Sequence, residues 1–150
     1  VWAGNIMSEQ EAQSAGDAAD GMYTSAPYFT SLETEANDTY ISSYEEAYGT
    51  DTTPNFVAEA AYWAPLMTAE LLRQNDPSAS SASAVKAALE NEVTIDAPQG
   101  EVTMNPGTHH CSLQSRVGRY DADASEFEVF EEFGSLEASG ITVQDGCLTS

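Results

Sequence analysis

The sequence predicts an α/β fold with a strand-helix-strand start, helices in the middle and a β-hairpin at the end. Three observations predict it. Over residues 54–74 apolar side chains recur at three- and four-residue steps, the period of a helix face. From Val93 onward the period changes to two, as in half-buried strands. Near the N-terminus, Ser8 with Glu11 three residues on marks a helix start between two short apolar runs. That order favours parallel pairing of the flanking strands.

In order along the chain, Val1-Trp2-Ala3-Gly4 reads as the end of a buried strand. Ser8 and Glu11 then form a capping box, and a short helix runs to about Ala19, ended by Gly21. Residues 22–28 read as a strand whose end Pro27 turns toward an edge or crossover. A second helix begins at Thr34 and stops at Gly49, with Tyr40, Ile41, Tyr44 and either Ala47 or Tyr48 as its buried stripe. Asn37-Asp38-Thr39 is a formal glycosylation sequon, of a kind that recurs by chance.

The third helix, 54–74, is the longest periodic segment. Val57, Ala60, Ala61, Ala64, Met67, Thr68 and Leu71 share one face, expected to be buried, with Tyr62-Trp63 at its edge. Thr53 is expected to cap it, Pro54 suits its first turn, and Arg73 sits where the macrodipole favours a cation. Pro65 removes one backbone bond and is expected to bend the helix or end its first half. After a small-polar loop, residues 84–90 form a short helix with Val85, Ala88 and Leu89 inward. Short strands follow at 93–95 and 101–104, joined by the turn 96–100. A hairpin then pairs 110–120 with 126–133 across 121–125, and 135–150 is a polar tail.

With 150 residues, 41% of them hydrophobic, the chain can bury one ordinary core. Its charge is the unusual feature: 25 acidic residues face four basic ones, for a net −21. Phosphate would be repelled, which excludes nucleic acid and disfavours anionic membrane surfaces. Because the carboxylates are dispersed along the chain, they suggest adaptation to high salt, where self-repulsion is screened. An acidic protein of ordinary habitat is the alternative. No segment is long and apolar enough to span a membrane. The opening Val-Trp-Ala-Gly, without methionine or signal peptide, reads as part of something longer.

Four motifs in order carry a family likeness: Pro27-Tyr28-Phe29 with Ser31-Leu32-Glu33-Thr34, then AEAAYW at 58–63, DAPQG at 96–100, and His109-His110 before the final hairpin. Together with GDAADGM at 16–22 they make the chain resemble the C-terminal portion of the type I periplasmic solute-binding proteins, over roughly residues 1–133. Among these it looks closest to the branch that binds short-chain amides and urea, with a further likeness to the branched-chain amino acid binders. Two departures stand out. Glu101 replaces the family's proline, and Asn5-Ile6-Met7-Ser8 stands where the amide branch has a threonine-rich loop.

The resemblance implies a fold of two α/β lobes with a ligand in the cleft between them. Residues 1–30 would belong to one lobe and its crossover, 31–95 to the helical part of the other, 96–134 to a β-rich return, and 135–150 to the tail. It implies an extracytoplasmic binding protein, lipid-anchored through a segment before Val1, that delivers a small polar ligand to the membrane subunits of an ABC importer without chemistry or cofactor. A cytoplasmic amide sensor of the same fold is the alternative.

The loop 4–8 is the leading site candidate, because it leaves the C-terminal end of a strand and enters a helix, where open α/β sheets bind ligands. Asn5, Met7 and Ser8 are its candidate ligand contacts, and Asn5 offers both an amide donor and an acceptor. Alternatively Asn5 and Ser8 only shape the turn and cap the helix. By resemblance, Phe56 and Val57 supply an apolar wall to the cleft. His109 and His110, adjacent in a strand, point to opposite faces and do not make a metal site. Asp121, Asp123 and Ser125 lack the glycine and terminal glutamate of a calcium loop. No nucleophile stands at a recognisable spacing from a base, so nothing supports catalysis. Cys111 and Cys147 fit no metal motif; they form either one disulfide tying the tail to the body or two free thiols.

Overall fold

The computed structural model describes residues 3–5, 7–75, 82–136, 142–144 and 147–149. Strand β1 (Ala3–Asn5), helix α1 (Glu9–Ala15, continued by a 3-10 turn, Gly16–Ala19) and strand β2 (Tyr23–Ala26) form the expected parallel unit, with Gly4 opposite Thr24. The capping box is in place. The Ser8 N–H donates to Glu11 Oε2 at 2.8 Å, giving an otherwise orphaned amide an acceptor. Helix α2 (Glu35–Tyr48) starts at Thr34, whose Oγ1 accepts the Asn37 N–H at 3.1 Å. It stops at Gly49, where φ is +86° and a side chain would be strained. Helices α3 (Phe56–Asn75) and α4 (Ala82–Ala88) follow, and then strands β3 (Val93–Ala97), β4 (Gly100–Asn105) and β5 (His110–Cys111). Strands β6 (Leu113–Asp121) and β7 (Glu126–Leu136) make the long hairpin, and β8 (Thr142–Gln144) pairs with β9 (Cys147–Thr149).

Two sheets organise the body. The first has the order β1-β2-β6-β7; β2 pairs antiparallel with β6, and β6 with β7 through two register shifts. Helix α1 packs on this sheet, and Ala12, Met22, Phe29, Tyr120 and Phe127 form its core. The second sheet, β3-β4-β5, is antiparallel throughout and is covered by α3. There Trp63, Met67 and Leu71 pack on Val93, Ala97, Val102 and Met104. Burying Met67 and Leu71 stabilises the fold by about 1.5–3 kcal/mol each. A smaller aromatic cluster of Tyr28, Leu32 and Tyr40 lies between α2 and α3, with Phe56 and Tyr62 against it.

The structure corrects several expectations. Helix α3 buries Glu59, Trp63, Met67 and Leu71, an i, i+4 row. Of the expected inner face, Met67 and Leu71 are buried and Ala60 is half-buried, whereas Val57, Ala61, Ala64 and Thr68 are exposed; Trp63, expected at the edge, is buried. The larger side chains at 63 and 71 fill the space over β3 and β4, and the small ones do not. Thr53 is not the cap. Asn55 is, with its Oδ1 accepting the N–H groups of Val57 (3.1 Å) and Ala58 (3.0 Å). Helix α3 also continues through Pro65, which lies on its exposed side. On α2, Ala47 and Tyr48 are exposed. On α4, Val85 is exposed, while Leu89 just beyond it packs on the second core. The tail is not all irregular, because β7 runs to Leu136 and β8-β9 is a strand pair.

Candidate functional site

Gly4 and Asn5 end β1, where Asn5 lies opposite Ser25; the Asn5 side chain and Ile6 are outside the described residues. The Met7 N–H donates to the buried Thr24 Oγ1 at 3.0 Å, and the Met7 side chain packs against the first core. Ser8 is buried as the cap of α1. The next residue, Glu9, is also buried, and its Oε1 accepts the Thr30 N–H at 3.1 Å and the Thr30 hydroxyl at 3.3 Å. Burial pushes the Glu9 carboxyl above its ordinary value, against the lowering effect of these donors. The loop after β1 is therefore held to the first sheet from below.

Phe56 and Val57 open α3. Phe56 is half-buried against Tyr28, Leu32 and Tyr40, and Val57 is 59% exposed. The structure ties this helix start to α1, the helix that follows the loop after β1, through a residue that the sequence pattern did not single out. The Gln10 carboxamide on α1 donates to the Thr53 carbonyl and accepts from Asn55 Nδ2 at 2.7 Å. The Gln10–Asn55 clasp thus joins α1, on the first sheet, to the start of α3, on the second. A glutamine on the polar face of a short helix and an asparagine at a helix start carry no local mark of such pairing.

Several polar side chains are buried between the elements. Asn37, the sequon asparagine, uses its Nδ2 for the carbonyls of Thr30 (3.0 Å) and Leu32 (2.7 Å), and its Oδ1 accepts the Tyr28 hydroxyl at 2.9 Å. That nitrogen is 2% exposed with its residue and engaged twice, so the folded chain offers no glycosylation site there. Glu59, fully buried, accepts from Trp63 Nε1 at 3.1 Å and from the Gln99 N–H at 3.3 Å. Burial pushes its carboxyl up to about 7, while these donors and the Arg116 charge pull the other way. Arg116 itself is bound to Glu132 and to the Pro27 carbonyl, both at 2.6 Å. The Tyr28 and Tyr40 hydroxyls are pushed up by burial.

An open groove of about 530 Å³ between α2 and α3 is lined by Tyr40, Tyr44, Tyr48 and Tyr62 with Ala58 and Ala61. None of the five candidate residues lines it. No group of histidine, cysteine or acidic side chains among the described residues is arranged to hold a metal. Cys111 is a free, half-buried thiol beside the second core, whereas the Cys147 side chain is outside the described residues.

A family model described as a periplasmic binding protein domain matches residues 2–139. A solute-binding protein of an ABC transporter from Rhodopseudomonas palustris BisB5, in complex with 3,4-dihydroxybenzoic acid, superposes with a TM-score of 0.78 at 20% identity over 90% of this chain and 37% of that one. Another from R. palustris, in complex with benzoate, gives 0.73 at 18% identity over 91% of this chain and 35% of that one. The leucine-, isoleucine-, valine-, threonine- and alanine-binding protein from Brucella ovis, in a closed conformation, gives 0.68 at 23% identity over 91% and 37%. The chain thus spans little more than a third of the length of these structures, and at such identities the likeness is one of fold. The family match runs over almost the whole sequence, and the chain belongs to the periplasmic binding protein domain family, type I in its fold.

Proposed function

We propose that this chain is the C-terminal portion of an extracytoplasmic solute-binding protein that captures a small polar ligand for an ABC importer. The ligand would be held where the loop after β1 meets the start of α3, by closure of two lobes and without chemistry. The Gln10–Asn55 clasp, which joins the helix entered by that loop to the start of α3, is the observation that carries this reading. The two sheets with their separate cores fit contributions to two lobes. The second apolar side of α3, with Val57, Ala61 and Ala64 exposed, fits a helix that packs within a larger lobe.

The family likeness suggests short-chain amides, urea or branched-chain amino acids. The ligands of the superposed proteins add benzoates to this set. The test is calorimetric titration of the parent polypeptide containing these residues with acetamide, urea, leucine, valine, benzoate and 4-hydroxybenzoate. Saturable heat with one of these classes, abolished by substitutions at Asn5 or Phe56, is expected. No heat with any of them would overturn the reading.

A further inference from the structure

Glu59 and Gln99 do more than fill a buried layer. The Glu59 carboxylate on α3 accepts the Gln99 N–H at 3.3 Å, and both its oxygens lie 3.4 Å from Gln99 Nε2. The Gln99 carboxamide oxygen in turn accepts the Gln114 N–H at 3.2 Å. Gln99 sits in the turn between β3 and β4, and Gln114 is the second residue of β6. An unbroken chain of hydrogen bonds therefore runs from α3, through the hairpin of the second sheet, into a strand of the first. Both Glu59 and Gln99 are buried, so water cannot substitute for a lost partner.

One further group marks this place. The Tyr40 hydroxyl is buried without a hydrogen-bond partner, and after burial itself Glu59 is the strongest influence on it. As a carboxylate, Glu59 can accept every N–H that faces it. As an acid, it turns one oxygen into a donor that confronts those N–H groups, and the Tyr40 hydroxyl is a buried, unpartnered group within its electrostatic influence.

We propose that Glu59 is a proton-controlled clasp between the two sheets: ionised, it holds Gln99 and through it the start of β6, and on taking a proton it turns to Tyr40 and lets that chain slacken. The groups that face it are Tyr40 from α2, Tyr28 from the crossover and Arg116 from β6. Arg116 is already bound to Glu132 and the Pro27 carbonyl, so it lends a field and not a direct partner. The balance between burial and the facing N–H groups places the change near neutral pH. Since the folded chain holds this proton more tightly than the ordinary carboxylate value of 4.5, the clasp is engaged above about 7 and released below it. The inference stands on this hydrogen-bond chain and is independent of solute binding.

The test is nuclear magnetic resonance of the isotope-labelled chain from pH 5 to 9, with the Trp63 indole N–H assigned by W2F. The Trp63 Nε1–H and the Gln114 amide should titrate together with one midpoint near neutrality. Protection of the Gln114 amide from exchange, corrected for intrinsic rate, should fall about two- to tenfold on acidification, as loss of one hydrogen bond predicts. Both responses should vanish in E59Q. In Y40F the midpoint should move to lower pH, because the acid form has lost its acceptor. Signals that stay constant across this range, or that titrate unchanged in E59Q, would overturn the proposal. Should E59Q fail to fold, an unshifted midpoint in Y40F does so as well.

Discussion

Asn37→Asp isolates the polar anchor that fixes the crossing between the two sheets. The substitution keeps the shape of the side chain and leaves an oxygen to accept from Tyr28. It removes the two N–H donors that serve the Thr30 and Leu32 carbonyls. The Leu32 carbonyl keeps a partner, the Thr34 N–H at 3.2 Å, so its loss is one ordinary hydrogen bond, about 0.5–1.5 kcal/mol. The Thr30 carbonyl is left facing an acceptor, which costs about 1–3 kcal/mol. Together the variant should lose about 2–4 kcal/mol at neutral pH, a large part of a domain's typical 5–15 kcal/mol. In a urea titration with unchanged slope this is a midpoint shift of about 1–2 M. The pH dependence has a fixed sign. A buried carboxyl facing two carbonyls binds its proton more tightly folded than unfolded, so the deficit should shrink as pH falls toward 5, when the acid regains a donor. Asn37→Ala, which has no proton to gain, should show a deficit that does not shrink. An Asp variant within 0.5 kcal/mol of wild type at both pH values would refute the assignment of Asn37 as an anchor.

Three other outcomes follow from named contacts. A Cβ added at Gly118 would sit 2.6 Å from the Phe29 ring and 3.1 Å from Phe127, so Gly118→Ala should cost about 1–3 kcal/mol and Phe29→Leu should recover part of it; an unchanged melting temperature would contradict this packing. Asn55→Ala should destabilise by about 0.5–2 kcal/mol and Thr53→Ala by much less, as measured by chemical denaturation, because Asn55 and not Thr53 caps α3; equal losses would reverse the assignment. With a net charge of −21, thermal unfolding in molar potassium chloride should occur well above that in dilute buffer, and insensitivity to salt would refute the high-salt reading.

What was legible in the sequence was what neighbouring residues decide. Ser8 with Glu11, Thr34 with Gly49, and the turn at 121–125 each act over a few residues, and all three stand where the pattern puts them. Helix α3 was found, with Met67 and Leu71 on its buried side, but the small residues of the expected face are not buried. Its apolar residues reach round more than one side, small ones at 57, 61 and 64 and larger ones at 63, 67 and 71, and periodicity alone cannot say which part of so wide a face meets a sheet. Its cap was missed because Thr53 and Asn55 are both good capping residues flanking one proline. The site candidates Met7 and Ser8 are taken up by local structure, while the pair that joins the two segments, Gln10 and Asn55, is 45 residues apart. No pattern over a short window reports a contact of that span.

The buried polar side chains share one physical task. Where the backbone leaves a sheet to cross to the other, its N–H and C=O groups lose their ladder partners and still require pairing. Glu9 serves the Thr30 amide, Asn37 serves the Thr30 and Leu32 carbonyls, and Arg116 serves the Pro27 carbonyl, all along the outward crossing between β2 and α2. At the β3–β4 turn Glu59 serves the Gln99 amide, and the Gln99 side chain serves Gln114 on the far sheet. Ladder bonds fix strands in register, but bonds to side chains can be made and broken one at a time. The two sheets are therefore joined by a few titratable and amide groups beside the aromatic cluster of Tyr28 and Tyr40, while each sheet keeps its own apolar core. In such a molecule a single proton at Glu59 can alter how the halves meet without altering either half.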